Sequence, residues 1–171
     1  MGLFGPPDVE RAKRMGKVET LLRAAQYTKD PAVAAAGREA LTEHLDLFIR
    51  ELDSKNIRRL QIAREALCVI GEPARERLVF ILEHGHVHRR QDAAFVLGEM
   101  KDEAAVPALC SALCHTDPLL RYLAAQALGK IGSPRARRQL RLACGDEEPK
   151  VAREARKALE RIGARESSRS G

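Results

Sequence analysis

The chain of 171 residues is 44% hydrophobic but has only two Tyr, four Phe and no Trp, which favours one domain with a core of Ala and Leu. It contains no run of about 18 apolar residues and no signal-peptide pattern, so we expect a cytoplasmic protein that does not enter a membrane. The net charge of +6 is concentrated near the C-terminus, where residues 133–171 carry 11 Lys and Arg against 6 Asp and Glu. The four cysteines lie in helical patterns, which is typical of reduced thiols.

The N-terminal part predicts a helical cap followed by an irregular first repeat. Residues 8–15 are typical of a short helix closed by Gly16, and residues 18–26 of a second helix. Asp30-Pro31 is a helix start signal, because the carboxylate can accept from free N–H groups and proline fits the first turn. No end signal follows, so this helix is expected to run on through Leu52 without a sharp break.

Residues 117–132 form the clearest predicted helix, and most other segments are degenerate repeats of its pattern. Asp117 is a typical N-cap, Pro118 fits the first turn, and Gly132 ends the helix because glycine adopts the left-handed conformation without strain. Apolar residues recur between them at steps of three and four, which places them on one stripe. A second helix over residues 135–144 completes a helical hairpin.

This hairpin recurs at a fixed spacing. Leu97 to Leu128 and Leu128 to Leu159 are each 31 residues apart, and Leu67 to Leu97 is 30. A unit of this size cannot bury its own apolar stripe, so the period predicts stacked hairpins in an all-α solenoid. We expect one repeat domain over residues 1–163 and a disordered tail over 164–171. The units within that domain are a cap at about 8–28, repeats at about 30–54, 56–84, 86–115 and 117–145, and a half repeat at 148–163.

The pattern Asp-Pro-x-x-Arg-x-x-Ala-Ala-x-Ala-Leu-Gly-x-Ile-Gly of residues 117–132 resembles the short HEAT repeats first associated with phycobilisome lyases. Residues 86–114 match nearly as well, and the first ten residues are similar to those of many small prokaryotic HEAT-repeat proteins. The resemblance implies a right-handed α-α superhelix whose second helices line the concave side. It also implies that a protein partner binds on that side.

Two catalytic activities of HEAT-like folds lack their residues here. Deoxyhypusine hydroxylases of this fold bind two irons through His-Glu pairs, and this sequence has no His-Glu dipeptide. HEAT-like DNA glycosylases rely on aromatic residues in a basic groove, and this sequence has no Trp. We therefore predict a non-catalytic scaffold or adaptor without a cofactor. An accessory role related to the phycobilisome lyases is left open as an alternative.

Some residues of the second helices face away from the core, and adding 31 to their numbers identifies the equivalent residues on the next second helix. The side that they form is basic at one end and apolar in the middle, which suits an acidic or amphipathic segment of another protein. The alternative is a solvated face whose arginines keep the protein soluble. This predicted strip consists of Arg75, Glu76, Val79, Glu83, Val106, Pro107, Cys110, Cys114, Arg137, Arg138 and Arg141.

Two further ligand classes have weaker support. Stacked connections could bring together nitrogen and sulfur donors that suit zinc, but no CxxC or HExxH spacing is present, and solvated loops are the alternative. The candidate ligands are His84, His86, His88, Cys114 and His115. The basic C-terminal half could bind nucleic acid, although interleaved glutamates and the lack of aromatic residues weigh against it.

Arg90 and Arg121 occupy equivalent positions 31 residues apart. Side chains that recur at the repeat period are usually architectural. We expect both guanidinium groups to bond to acids or helix ends of the adjacent unit.

Overall fold

The computed structural model describes residues 6–169, and side chains up to residue 168. The described residues form helices joined by short connections, with no strand among them, which confirms the predicted all-α repeat fold. Their internal packing divides them into two compact units, one up to Ala74 and one from Arg75 onward. The single domain expected over residues 1–163 stays a prediction. No helix within residues 6–169 is long and apolar enough to cross a membrane.

The first unit begins with a helical cap and an interrupted hairpin. Its helices are α1 (Val9–Arg14), α2 (Val18–Ala25), α3 (Pro31–Thr42), α4 (Leu45–Glu51) and α5 (Ile57–Ile70). The Asp30 carboxylate accepts from the backbone N–H of Ala32 at 2.9 Å and caps α3, as its position before Pro31 predicts.

The continuous helix expected through Leu52 is wrong. The helix α3 ends at Thr42, and α4 starts after His44. The reason is packing, since α3 packs mainly on α2 and to a lesser extent on α5, whereas α4 packs on α5. Leu41 and Phe48 are 0% and 2% exposed, so each of the two helices has its own buried face.

The second unit holds the regular repeats. Its helices are α6 (Glu72–His84, which begins just before the division), α7 (Val87–Met100), α8 (Val106–Ala112), α9 (Pro118–Ile131), α10 (Arg137–Ala143) and α11 (Pro149–Arg169). A 3-10 turn precedes α8 at Glu103–Ala105, and another precedes α10 at Pro134–Ala136. The first helices of successive repeats stack, α7 on α9 and α9 on α11. The second helix α8 packs against α9, and α10 packs against α11. Leu97 and Leu128, which set the register, are fully buried.

The last helix is longer than the sequence predicts. Residues 164–169 belong to α11 rather than to a disordered tail, and residues 170–171 lie outside the described part of the chain. The Arg165 guanidinium donates to the backbone carbonyls of Ile131 at 2.5 Å and Lys130 at 3.0 Å, and Glu166 forms an ion pair with Arg137. These bonds hold the final turns against the preceding repeat.

The two repeated arginines bind backbone and acidic groups at the repeat junctions. Arg121 is 7% exposed, and its Nε and Nη2 donate to the Asp146 carboxylate at 2.8 and 2.9 Å. Its Nη1 donates to the carbonyls of His115 and Thr116 at 2.9 and 3.0 Å. Arg90 makes a similar bond to the Gly85 carbonyl at 2.7 Å. Both side chains therefore bond the first helix of a repeat to the connection that precedes it.

Candidate functional site

A pocket of about 530 Å³ lies between the N-terminal halves of α9 and α11. Pro118, Leu119 and Tyr122 form its apolar wall, and the half-exposed Leu119 lies at its surface. The remaining lining is charged and comes from the first half of α11 and the residue that precedes it. These residues are Glu148, Lys150, Arg153, Glu154 and Lys157. We call this the α9/α11 pocket.

Glu154 is the buried ionisable group of the α9/α11 pocket. It is 4% exposed, and its Oε1 accepts from Arg161 Nη1 at 3.2 Å. Lys157 Nζ lies 3.9 Å from its Oε2, at the outer limit of an ion pair. A buried carboxylate with one close and one distant cation can exchange the distant one for a ligand ammonium.

The other polar groups of the pocket are fixed locally. Glu148 Oε1 accepts from the backbone N–H of Lys150 at 3.4 Å, and the Tyr122 hydroxyl accepts from Gln126 Nε2 at 3.4 Å. Lys150 and Arg153 are exposed at the rim. The pocket thus offers an apolar wall for methylene groups, carboxylates for an amine, and cations for neighbouring carboxylates.

The sequence predicts binding on the second helices, whereas this pocket lies between two first helices. The signal was nevertheless present, since the 31-residue period relates Leu119 to Lys150 and Tyr122 to Arg153. Only the packing of α9 on α11 shows that these pairs face a common space.

Four residues of the predicted strip do lie together. Val106, Pro107, Cys110 and Cys114 line a second pocket, of about 460 Å³, with Ser111 of α8 and with Arg135 and Gln139 from the region of α10. Val106 is only 2% exposed, so it contributes to the floor rather than to an open surface. Burial raises the pKa of the Cys110 thiol, while Cys114 is exposed.

The other members of the strip have separate surroundings. Arg75 pairs with Asp102 at 2.8 Å, and Arg137 pairs with Glu166, so both guanidinium groups are already engaged. Arg138 and Arg141 are exposed and make no ion pair with another described residue. The rest of the strip lies on α6, where Val79 is half-buried and the exposed acids are Glu76 and Glu83. Binding of a partner by the strip stays a prediction.

The candidate zinc ligands are not brought together. His84 stacks on Phe80 with ring centroids 4.9 Å apart, and His115 Nδ1 accepts from the backbone N–H of Asp117 at 3.0 Å. His86, His88 and Cys114 are exposed. Among the described residues, no group of three or more His, Cys, Asp or Glu is arranged to hold a metal ion.

Stacked helical hairpins with a 31-residue period define the class of α-helical repeat proteins. The family model for HEAT repeats matches residues 75–160, about half of the chain. This chain therefore belongs to the family of HEAT-repeat proteins, which confirms the resemblance seen in the sequence.

Its relatives include enzymes. Cattle deoxyhypusine hydroxylase is 34% identical over 80% of this chain and 45% of that protein. The human enzyme is 38% identical over 50% of this chain and 28% of its own length, and rice deoxyhypusine hydroxylase-B is 28% identical over 95% and 53%. The chain thus spans about half the length, or less, of these curated relatives. They come from vertebrates and rice and do not support the predicted prokaryotic origin.

The solved structures agree on the fold. Human deoxyhypusine hydroxylase in complex with glycerol superposes with a TM-score of 0.56, at 22% identity, over 91% of this chain and 77% of that chain. An engineered protein superposes with a TM-score of 0.52, at 21% identity, over 94% and 85%.

The prediction of a non-catalytic scaffold is wrong, because the curated relatives are enzymes. The alternatives of nucleic-acid binding and an accessory lyase-like role fall with it. The two-iron centre of hydroxylases of this fold does not fit the residues present. The sequence has no His-Glu dipeptide, and the described residues contain no group of three or more His, Cys, Asp or Glu arranged to hold a metal ion. No chemical step is therefore derived through a metal.

Proposed function

We propose that this chain takes part in the enzymatic modification of a polypeptide, in the class of its deoxyhypusine hydroxylase relatives. The observation that carries the proposal is the 34% identity to the cattle enzyme across 80% of this chain. The reaction and its substrate are both part of the proposal, because the chain spans only part of each relative. The proposed role of the α9/α11 pocket is to hold the side chain that is modified.

The chemistry of the α9/α11 pocket supports a substrate with an amine on an aliphatic stem, as in deoxyhypusine. Leu119 and Tyr122 can contact the methylene groups. An ammonium group can replace the distant Lys157 at Glu154, because a charge-assisted hydrogen bond is stronger than an ion pair at 3.9 Å. Lys150 and Arg153 at the rim suit acidic residues beside the modified position. In this proposal these residues bind and orient the polypeptide.

A cytoplasmic location belongs to the same proposal. Cys110, Cys114 and Cys144 are thiols outside any disulfide, which supports a reducing compartment.

The proposal is tested by binding and by turnover. The purified chain should bind a peptide that contains deoxyhypusine more tightly than the same peptide with lysine, because the longer side chain reaches Glu154. Glu154→Gln should weaken that binding about tenfold, since it removes a charged acceptor. Glu160→Gln, at an exposed position of the same helix, is the matched control and should leave the affinity unchanged.

Turnover is measured, with dioxygen and a two-electron reductant supplied in the assay, as the mass gain of one oxygen atom on the peptide while the second oxygen atom is released as water. A full-length deoxyhypusine hydroxylase is the positive control. Equal affinity for the two peptides together with no mass gain would rule out the proposed function. Melting curves of both variants establish that each is folded.

A further inference from the structure

A second surface of the repeat unit, on other helices than the α9/α11 pocket, also has the properties of a binding site. The pocket lined by Val106, Cys110 and Arg135 continues past Cys114 and Gln139 into a smaller one of about 190 Å³. Leu113, Leu142 and Ala143 add apolar lining there. The two pockets adjoin at Cys114 and Gln139, between α8 and the α10 region, and we call them together the α8/α10 groove.

The groove has an apolar floor and an exposed apolar edge. Val106 and Leu113 are 2% and 6% exposed and close the floor from below. Leu142 is 73% exposed at the edge, although it lies in a regular turn of α10. A large aliphatic side chain beside an apolar channel gains from being covered, since each square ångström removed from water contributes about 25 cal/mol.

Two arginines make the same edge positive. Arg135, in the 3-10 turn before α10, lines the groove. Arg138 lies four residues before Leu142 on α10, so these two share one side of the helix. Neither Arg135 nor Arg138 forms an ion pair with another described residue, in contrast to Arg137 with Glu166. The acid at the far end of the groove, Asp146, does not offset this charge because Arg121 already binds its carboxylate.

We propose that the α8/α10 groove binds an amphipathic helix of another protein, with aliphatic residues on one face and Glu or Asp along the edge of that face. The aliphatic face covers Leu142 and fills the channel above Val106 and Leu113. The carboxylates reach Arg135 and Arg138, whose planar groups suit bidentate bonds. Charge complementarity favours this occupant over a basic helix. A nucleic acid segment is disfavoured because it has no aliphatic face. The inference goes beyond the proposed function, which uses residues of α9 and α11.

A synthetic helical peptide of about four turns provides the probe. It carries leucines at positions i, i+3, i+4 and i+7 and glutamates along the edges, and the matched peptide carries lysines instead. We expect the glutamate peptide to bind the full chain at least about tenfold more tightly than the lysine peptide. The difference should shrink when the ionic strength rises from about 0.05 to about 0.3 M, because exposed charges are screened.

Variants and thiol chemistry locate the peptide. Arg135→Ala/Arg138→Ala should weaken binding of the glutamate peptide about tenfold, while Arg141→Ala should change it less than about twofold. Arg141 carries the same charge on the same helix but lies about 100° around it from Leu142. The glutamate peptide should also slow alkylation of the exposed Cys114. The proposal is overturned by equal binding of the two peptides, by equal effects of the two sets of variants, or by unchanged alkylation of Cys114.

Discussion

At the scale of single residues, Arg121 and Asp146 form a buried ion pair at a repeat junction. The two side chains are 8% and 9% exposed and bond through two donor atoms. Arg121→Ala should lower the free energy of unfolding by about 3 kcal/mol, because it leaves a buried carboxylate without its cation and two carbonyls without the guanidinium donor. The measurement is the urea midpoint at neutral pH.

Arg138→Ala is the matched control for this variant, since Arg138 is exposed and makes no ion pair with another described residue. It should change the free energy of unfolding by no more than about 0.5 kcal/mol. If both variants unfold at the same urea concentration as the unsubstituted chain, Arg121 does not hold the junction together.

At the scale of elements, glycine sets how closely the first helices stack. A Cβ on Gly98 would lie 2.7 Å from the Ala127 Cα, and one on Gly129 would lie 3.0 Å from the Ala158 Cα. Gly98→Ala should therefore destabilise the protein by about 1 to 2 kcal/mol, since overpacking between two backbones outweighs the gain in helix propensity. Urea titration gives the value.

Gly163→Ala is the control at this scale, because a Cβ there meets nothing within 4 Å and the residue lies inside α11. It should raise the free energy of unfolding by up to about 1 kcal/mol through helix propensity alone. A stabilising effect of Gly98→Ala would mean that α7 and α9 do not stack as closely as described.

At the scale of the whole molecule, three carboxylates of the second unit make its stability depend on pH. The Arg121 guanidinium holds the pKa of Asp146 below its ordinary value of 3.8. Burial acts to raise the pKa of Asp102 and Asp117, but hydrogen bonds from Arg75 to Asp102 and from Gln91 to Asp117 prevail and lower it. All three groups are therefore more easily ionised in the folded chain than in the unfolded one.

A lowered pKa in the folded state means stability that is fully present above the unfolded value and is lost as the pH falls through the folded value. The free energy of unfolding should thus be level above about pH 5 and fall steeply below about pH 4. Asp146→Asn should have a shallower fall over that acidic range, because one of the titrating groups is gone. Urea midpoints measured across the range check this, and an identical slope in the variant would contradict it.

The repeat period and the helix caps could be read from the sequence because they depend on neighbouring residues. Asp117, Pro118 and Gly132 mark the ends of α9 by local hydrogen bonding and backbone conformation, and the structure has them at those positions. The break after α3 and the length of α11 could not be read in this way. They depend on which helix each segment packs against, and distant residues supply that surface.

The candidate sites, too, could be predicted only where they follow from the repeat period and not where they depend on packing. The sequence placed Val106, Pro107, Cys110 and Cys114 on one surface, because a constant period relates side chains on equivalent helices. It could not show that Arg137 is engaged by Glu166 while Arg135 and Arg138 make no ion pair with other described residues. The period relates Leu119 to Lys150 and Tyr122 to Arg153, but only the packing of α9 on α11 makes the space between them a pocket. The sequence by itself determined the all-α class, the period and the HEAT-repeat family, since these follow from local patterns. Only the tertiary structure decided which charges are paired and where a pocket opens, since both depend on the packing of helices that are far apart in the chain.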